Sequence, residues 1–197
     1  PTAVASVDFG LPIVGSAAHF DGADSTDPEG DALIYSWSIT GAPAGSTAGL
    51  VGADTVNPTL TPDVEGEYTV TLLVSDFLGD GTLATVDFVA TTPANYAEIQ
   101  IVYACDLVET LLPHQVTTKG NQNAFCNFLK QATKDIQKGK HGNAIGKLNQ
   151  AIDRTDGCAL RDGIVDGNGS GRDWIIDCDV QADVYALLTI AVEALQN

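Results

Sequence analysis

The sequence predicts two domains, an all-β sandwich over residues 1–93 followed by a small disulfide-stapled all-α bundle over residues 94–197, and three observations carry that expectation. Apolar residues recur at every second position in strand-like runs before Pro93, and about every 3.6 positions beyond Ala94. All four cysteines, Cys105, Cys126, Cys158 and Cys178, lie in the second part. Charge divides just as unevenly: residues 1–93 hold 13 acidic groups and no Lys or Arg, whereas residues 94–197 hold 13 acidic and 9 basic groups. A length of 197 residues allows two modest cores, and cores of that size often draw on staples or ions for stability.

In the first part, Ala3, Ala5 and Val7, then Leu33, Tyr35 and Trp37, then Tyr68, Val70, Leu72 and Val74, then Ala84, Val86 and Phe88 alternate with polar neighbours, as half-buried strands do. Gly, Pro, Asp and Asn clusters separate these runs at short spacing, which favours an antiparallel sandwich over a parallel sheet. Trp37 is expected at the centre of the core. No cysteine pair accompanies it, which excludes an antibody-type domain.

The run His19-Phe20-Asp21-Gly22-Ala23-Asp24-Ser25-Thr26-Asp27-Pro28-Glu29-Gly30-Asp31 with Tyr35-Ser36-Trp37 resembles the opening of a PKD domain. Gly66-Glu67-Tyr68-Thr69-Val70-Thr71-Leu72-Leu73-Val74-Ser75-Asp76 and Gly79-Asp80-Gly81 resemble its closing hairpin. The resemblance covers nearly all of residues 1–93 and implies an immunoglobulin-like sandwich. It departs from the family at Trp37-Ser38-Ile39-Thr40-Gly41-Ala42-Pro43, which stands where the family commonly has Trp-x-Phe-Gly-Asp-Gly.

In a seven-strand sandwich the loop between the second and third strands shares an end with the loop between the last two. Asp24, Asp27, Glu29 and Asp31 are therefore expected near Asp76 and Asp80. Carboxylates gathered without Lys or Arg repel one another unless a cation sits among them, and hard oxygen ligands suit calcium. Asp24, Asp27, Asp31, Asp76 and Asp80 are the candidate ligands, and some PKD domains bind calcium. The alternative is that these side chains cap turns through bonds to nearby backbone.

Four helices are expected in the second part. Ile101, Cys105, Val108 and Leu112 share one face and Pro113 closes that helix; Phe125, Phe128, Leu129, Ala132 and Ile136 mark a second. Ala144, Ile145, Leu148 and Ile152 mark a third, and Val180, Val184, Leu187, Leu188, Ala191 and Leu195 a fourth. Four cysteines allow three connectivities. If the first two helices form a hairpin, Cys105 and Cys126 lie at similar heights, which favours pairing them and leaves Cys158 with Cys178 to close the loop between. Lys130, Lys134 and Lys138 form a basic stripe on the second helix, read as a solvated face or as a docking site for an acidic sandwich.

The loop Asp166-Gly167-Asn168-Gly169-Ser170-Gly171-Arg172-Asp173-Trp174-Ile175-Ile176-Asp177 places oxygen side chains at positions 1, 3 and 5, glycine at 6 and a carboxylate at 12. That is the spacing by which an EF-hand or dockerin loop wraps calcium, with Asp166, Asn168, Ser170 and Asp177 as ligands. Asp173 stands at position 8, which is usually apolar. In the competing reading, Asp177 caps the last helix and Trp174 anchors the loop to the bundle. The stretches from Leu129 to Leu148 and Tyr185-Ala186-Leu187-Leu188 resemble the FIMAH-type helical domain at the ends of bacterial secreted proteins. That resemblance implies a place in a longer protein rather than an activity.

The cysteine framework points to an oxidising compartment, hence a secreted or cell-surface protein. The absence of Met, even at position 1, reads as a processed product or a fragment. A net charge of −17 disfavours nucleic acid and anionic lipid and favours cations or basic partners; a solubility or saline-environment adaptation is the alternative reading. No run reaches the apolar length of a membrane span. His19, His114 and His141 sit in no nucleophile or metalloprotease pattern, and the glycines at 169 and 171 lack a phosphate-loop context, so no catalytic residues are expected. The expected function is a calcium-assisted, non-catalytic binding or spacer module of a bacterial secreted or surface multidomain protein, an adhesion part that meets a protein or polysaccharide surface. A subunit that self-associates into an extracellular fibre or surface layer is the alternative, and an accessory domain of a carbohydrate-processing enzyme a third.

Overall fold

The computed structural model describes residues 1–79, 81–155, 160–161, 164–165 and 173–196. It divides into two compact units, Pro1–Thr92 and Pro93–Asn197. The first is built from β1 (Ser6–Phe9), β2 (Ala18–Asp21), β3 (Ile34–Gly41), β4 (Leu50–Val51), β5 (Thr59–Leu60), β6 (Gly66–Ser75) and β7 (Gly81–Ala90). These form two antiparallel sheets, one in the order β1-β2-β5-β4 and one in the order β3-β6-β7.

Period two decides which side chains meet. Tyr68, Val70, Leu72 and Val74 of β6 are fully buried, and Thr69, Thr71 and Leu73 between them face outward. Phe20 from β2, Trp37 from β3 and Phe88 from β7 complete the centre, with Phe20 5.7 Å from Trp37 and 6.0 Å from Phe88 between ring centroids. Tyr68 stacks on Phe88 at 5.2 Å. Both sheets thus contribute to one core. Each such large side chain removed from water contributes about 1.5–3 kcal/mol before entropy is counted. The Trp37 indole Nε1 donates to the Thr55 carbonyl at 3.0 Å, so burying it leaves no orphaned donor.

β6 and β7 pair without a register shift from Gly66↔Ala90 to Ser75↔Gly81. The turn between them uses Gly79 at φ +93°, a conformation that side chains with a Cβ seldom adopt. Gly66 opens β6 at φ +140°, and a Cβ there would lie 2.8 Å from the Pro43 ring.

The second unit contains α1 (Pro93–Glu109), α2 (Lys119–Ile136), α3 (His141–Ile152) and α4 (Cys178–Gln196), with a short two-stranded ribbon of β8 (Leu160–Arg161) and β9 (Ile164–Val165). Pro93 begins α1, where its fixed φ suits a first helical turn. Thr118 caps α2 by accepting the Asn121 amide at 3.0 Å. Beyond α2, Gly139 at φ +66° turns the chain toward α3. All four helices contribute to one apolar cluster that includes Ile101, Val108, Phe125, Leu129, Leu148, Val184 and Leu188.

A disulfide joins Cys105 of α1 to Cys126 of α2, with Cα atoms 5.2 Å apart. Cys178 is also disulfide-bonded, whereas Cys158 lies outside the described residues. α1 ends earlier than Pro113 implies. Buried Gln122 turns its amide onto the carbonyls of Val108, Glu109 and Leu111, at 2.6, 3.2 and 3.2 Å, and so satisfies the groups a further helical turn would have used. Leu112, expected on the buried face of that helix, lies beyond its end and is 56 % exposed.

Candidate binding surfaces and the carboxylates around them

The Asp27–Asp31 turn folds around one carboxylate. Asp27 Oδ1 accepts the amides of Glu29 and Asp31 at 2.9 and 3.0 Å. Its Oδ2 is buried and forms an ion pair with the Pro1 ammonium at 3.3 Å. The Asp31 amide holds the Asp27 carboxyl below its ordinary range, with desolvation working the other way. At the other loop, Asp76 Oδ1 accepts the amides of Leu78 and Gly79 at 2.7 and 3.0 Å and so caps the β6–β7 turn.

The N-terminal segment runs along this end of the unit. Thr2 and Thr26 exchange backbone bonds of 2.6 and 3.0 Å, and the Ala3 amide donates to Thr82 Oγ1 at 2.7 Å. Asp24 and Asp31 are exposed; Asp80 lies outside the described residues. Among the described residues, Asp24, Asp27, Asp31 and Asp76 do not form a trio of ligand atoms within 4.8 Å of one another. Among the described residues, the trio that does is Cys105, Glu109 and Cys126, whose two sulfurs are bonded to each other.

Asp63 holds a polar clasp that the sequence reading did not single out. Its Oδ1 accepts Ser46 Oγ at 2.5 Å, and its Oδ2 accepts the Thr47 amide and hydroxyl, each at 2.7 Å. These donors, Ser46 first, lower its proton affinity far below the ordinary carboxylate range. Beside it, buried Tyr68 donates its hydroxyl to the Val64 carbonyl at 2.9 Å and accepts the Val64 amide at 3.2 Å. The signal was present in Asp63-Val64-Glu65-Gly66-Glu67-Tyr68, a polar turn running straight into an alternating strand.

Of the loop ligands expected for calcium, Asp166, Asn168 and Ser170 lie outside the described residues. Asp177 accepts Gln115 Nε2 on Oδ2 at 2.8 Å and the Val180 amide on Oδ1 at 3.3 Å, which caps α4. Gln115 is the main cause of its lowered pKa. Trp174 packs edge-on against Phe125 at 6.3 Å, lies 5.4 Å from the Arg154 guanidinium, and bonds through its amide to the Arg154 carbonyl at 3.0 Å. The backbone at the two sides of the glycine-rich segment is thereby joined.

On the stripe of α2, Lys130 pairs with Glu109 at 3.4 Å, both side chains more than half exposed; a pair of that kind contributes little. Lys134 is exposed, and Lys138, expected on the same helix, lies beyond its end at Ile136 and is exposed too. Lys147 of α3 pairs with Asp135, whose carboxyl it draws below the ordinary range.

Two apolar surfaces remain. Ile99, Val102 and Tyr103 of α1 are 43, 52 and 57 % exposed, beside an open depression of about 370 Å³ lined by Tyr103, Asp106, Leu107 and Thr110. On the first unit, Phe77 and Leu78 at the β6–β7 turn are 83 and 80 % exposed, and Leu83 and Val89 of β7 are 67 and 61 % exposed. Their residue types were visible in the sequence, but their exposure was not.

The chain matches no protein-family model and no curated protein. Among solved structures it is similar to a nucleoside hydrolase-related hypothetical protein from Saccharophagus degradans associated with carbohydrate metabolism, with TM-score 0.37, 22 % identity, and coverage of 46 % of this chain and 25 % of that one. It is also similar to the PKD domain from KIAA 1837 protein, with TM-score 0.34, 25 % identity, and coverage of 43 % of this chain and 84 % of that one. The chain thus spans a quarter of the first neighbour's length. No helix among the described residues is long and apolar enough to cross a membrane.

Proposed function

We propose that this chain is a non-catalytic extracellular binding or spacer module of a bacterial secreted or surface multidomain protein. In this reading the first unit is an immunoglobulin-like sandwich of the PKD type, and the second is a disulfide-stapled attachment of the FIMAH type. The observation that carries the reading is the use of the acidic side chains. Asp27, Asp63, Asp135 and Asp177 are four carboxyls whose proton affinity is clearly moved, and all four are moved downward by donors that fix turns, caps or an ion pair. A general acid needs the opposite shift, toward neutral pH. These groups serve architecture.

The strand order supports the immunoglobulin-like assignment. β1-β2-β5-β4 against β3-β6-β7 is the order A-B-E-D against C-F-G of constant-type domains. Tyr68, near the start of the sixth strand with its hydroxyl on the Val64 carbonyl, occupies the place of a tyrosine corner. Calcium belongs to the proposal as an assisting ion, with the glycine-rich loop before Asp177 as its candidate seat.

The test is retention of the full chain on insoluble polysaccharide and on immobilised basic protein, with calcium or with chelator. Saturable retention that weakens on chelation, with no soluble product released, is expected. Product release in proportion to protein concentration overturns the non-catalytic reading. Calcium-independent retention removes the ion from it.

A further inference from the structure

The outer strand β7 has a side-chain pattern that is its own complement. β7 closes the sheet β3-β6-β7 on one side. Its tied points are Thr82, whose hydroxyl takes the Ala3 amide, and Thr91, just beyond the strand, which bridges Ile13. Between them, Leu83, Thr85, Asp87 and Val89 point outward and are exposed. Reversed about Val86, the series apolar, hydroxyl, carboxylate, apolar sets each Leu83 against a Val89 and each Thr85 against an Asp87.

We propose that β7 pairs antiparallel with β7 of a second copy about a two-fold axis at Val86, giving a continuous sheet in the order β3-β6-β7-β7-β6-β3. A two-fold contact uses the same patch twice and so requires this self-complementarity. The pairing spans Leu83–Val89, about 20 Å of strand. It brings two otherwise exposed aliphatic side chains of each copy together, and it holds the two Asp87 carboxylates diagonally apart rather than opposed. Outer strands that must stay single are commonly guarded by charged side chains, Pro or a bulge. β7 has a single charge, Asp87, which the two-fold sets beside a Thr85 hydroxyl; it has neither Lys nor Pro, and its pairing with β6 runs without a register shift. The inference stands on sheet geometry and on residue pattern, and it goes beyond the module proposed above.

Charge gives the contact a distinctive salt dependence. Each copy carries a net −17, so the copies repel, and screening strengthens an association built on backbone bonds and aliphatic contact. Docking of an acidic sandwich on a neighbour's Lys130–Lys134–Lys138 stripe has the opposite dependence.

Sedimentation of the full chain, from about 10 μM to about 1 mM and from about 0.05 to 0.5 M salt, tests this. Dimers that become tighter with salt are expected, and Leu83→Lys weakens them at least tenfold. Under mild oxidation Thr85→Cys chains mixed with Asp87→Cys chains cross-link to one another, since both positions are exposed and face each other across the two-fold, whereas Ser38→Cys on the opposite edge strand does not cross-link to its copy. A monomer under all conditions, association that weakens with salt, or a dimer in which the mixed Thr85→Cys and Asp87→Cys chains fail to cross-link overturns the proposal. Because the unmodified chain is tested first, a misfolded variant does not shelter it.

Discussion

Replacing Tyr68 by Phe removes one oxygen from the centre of the first unit and leaves nearly everything else in place. The ring still stacks on Phe88 at 5.2 Å, so the apolar burial is retained and the new cavity is small. What is lost is a hydroxyl that donates to the Val64 carbonyl at 2.9 Å and accepts its amide at 3.2 Å. A net hydrogen bond contributes about 1 kcal/mol, and leaving a partly buried amide or carbonyl without its partner raises the loss to as much as about 3 kcal/mol. The expected destabilisation is therefore about 2–3 kcal/mol. With a urea slope near the low end of about 1–3 kcal/mol/M, the midpoint falls by about 1.5–2 M. Trp37 is buried in this core, so urea unfolding followed by its fluorescence in a Trp174→Phe background reads this unit alone. A midpoint moved by less than about 0.3 M would refute the Tyr68 hydroxyl as a stabilising group.

Removing both Cys105 and Cys126 by substitution with Ala opens a loop of sequence separation 21. Chain-entropy arithmetic gives a loss of about 3 kcal/mol, seen as an earlier helical melt, and an unchanged melt would contradict it. Gln122→Leu leaves the carbonyls at the end of α1 without their buried donor and destabilises by about 1–3 kcal/mol, measured by the same melt. Asp63 binds its proton less readily when folded than when unfolded, so its contribution is present above the unfolded value. That contribution fades as pH falls below about 4 toward the lower folded value. Asp63→Asn therefore flattens the acid limb of stability against pH, and equal acid limbs would show that the carboxylate does not matter. Calorimetric titration with calcium after chelation should give heat and a raised melting temperature, and silence in both removes the assisting ion.

Long regular elements were the legible part of this fold. The β6 run from Tyr68 to Val74 alternates over enough positions to declare both strand and buried face, and α2 repeats Phe125, Leu129, Ala132 and Ile136 around one side. β4 and β5 escaped because each is two residues long, too short for any period to show. The end of α1 was misplaced because Pro113 is a local signal, whereas the actual stop comes from Gln122, a side chain 13 residues beyond Glu109 in sequence. Asp177 illustrates a different limit. Its residue type fits a calcium ligand or a helix cap equally well, and the bonds to Gln115 and Val180 involve partners that loop spacing does not specify. Phe77 and Leu78 read as part of a turn, and nothing local marks them as facing solvent.

An architectural role for the shifted carboxylates is tested most directly by a carbon-detected NMR titration of the side-chain carboxyls. Asp27, Asp63, Asp135 and Asp177 are predicted to titrate below the ordinary aspartate range, each losing its downward shift when its donor is removed, as in Gln115→Ala for Asp177. Any of the four titrating above that range, toward neutral pH, would contradict the account and give the chain a candidate general acid.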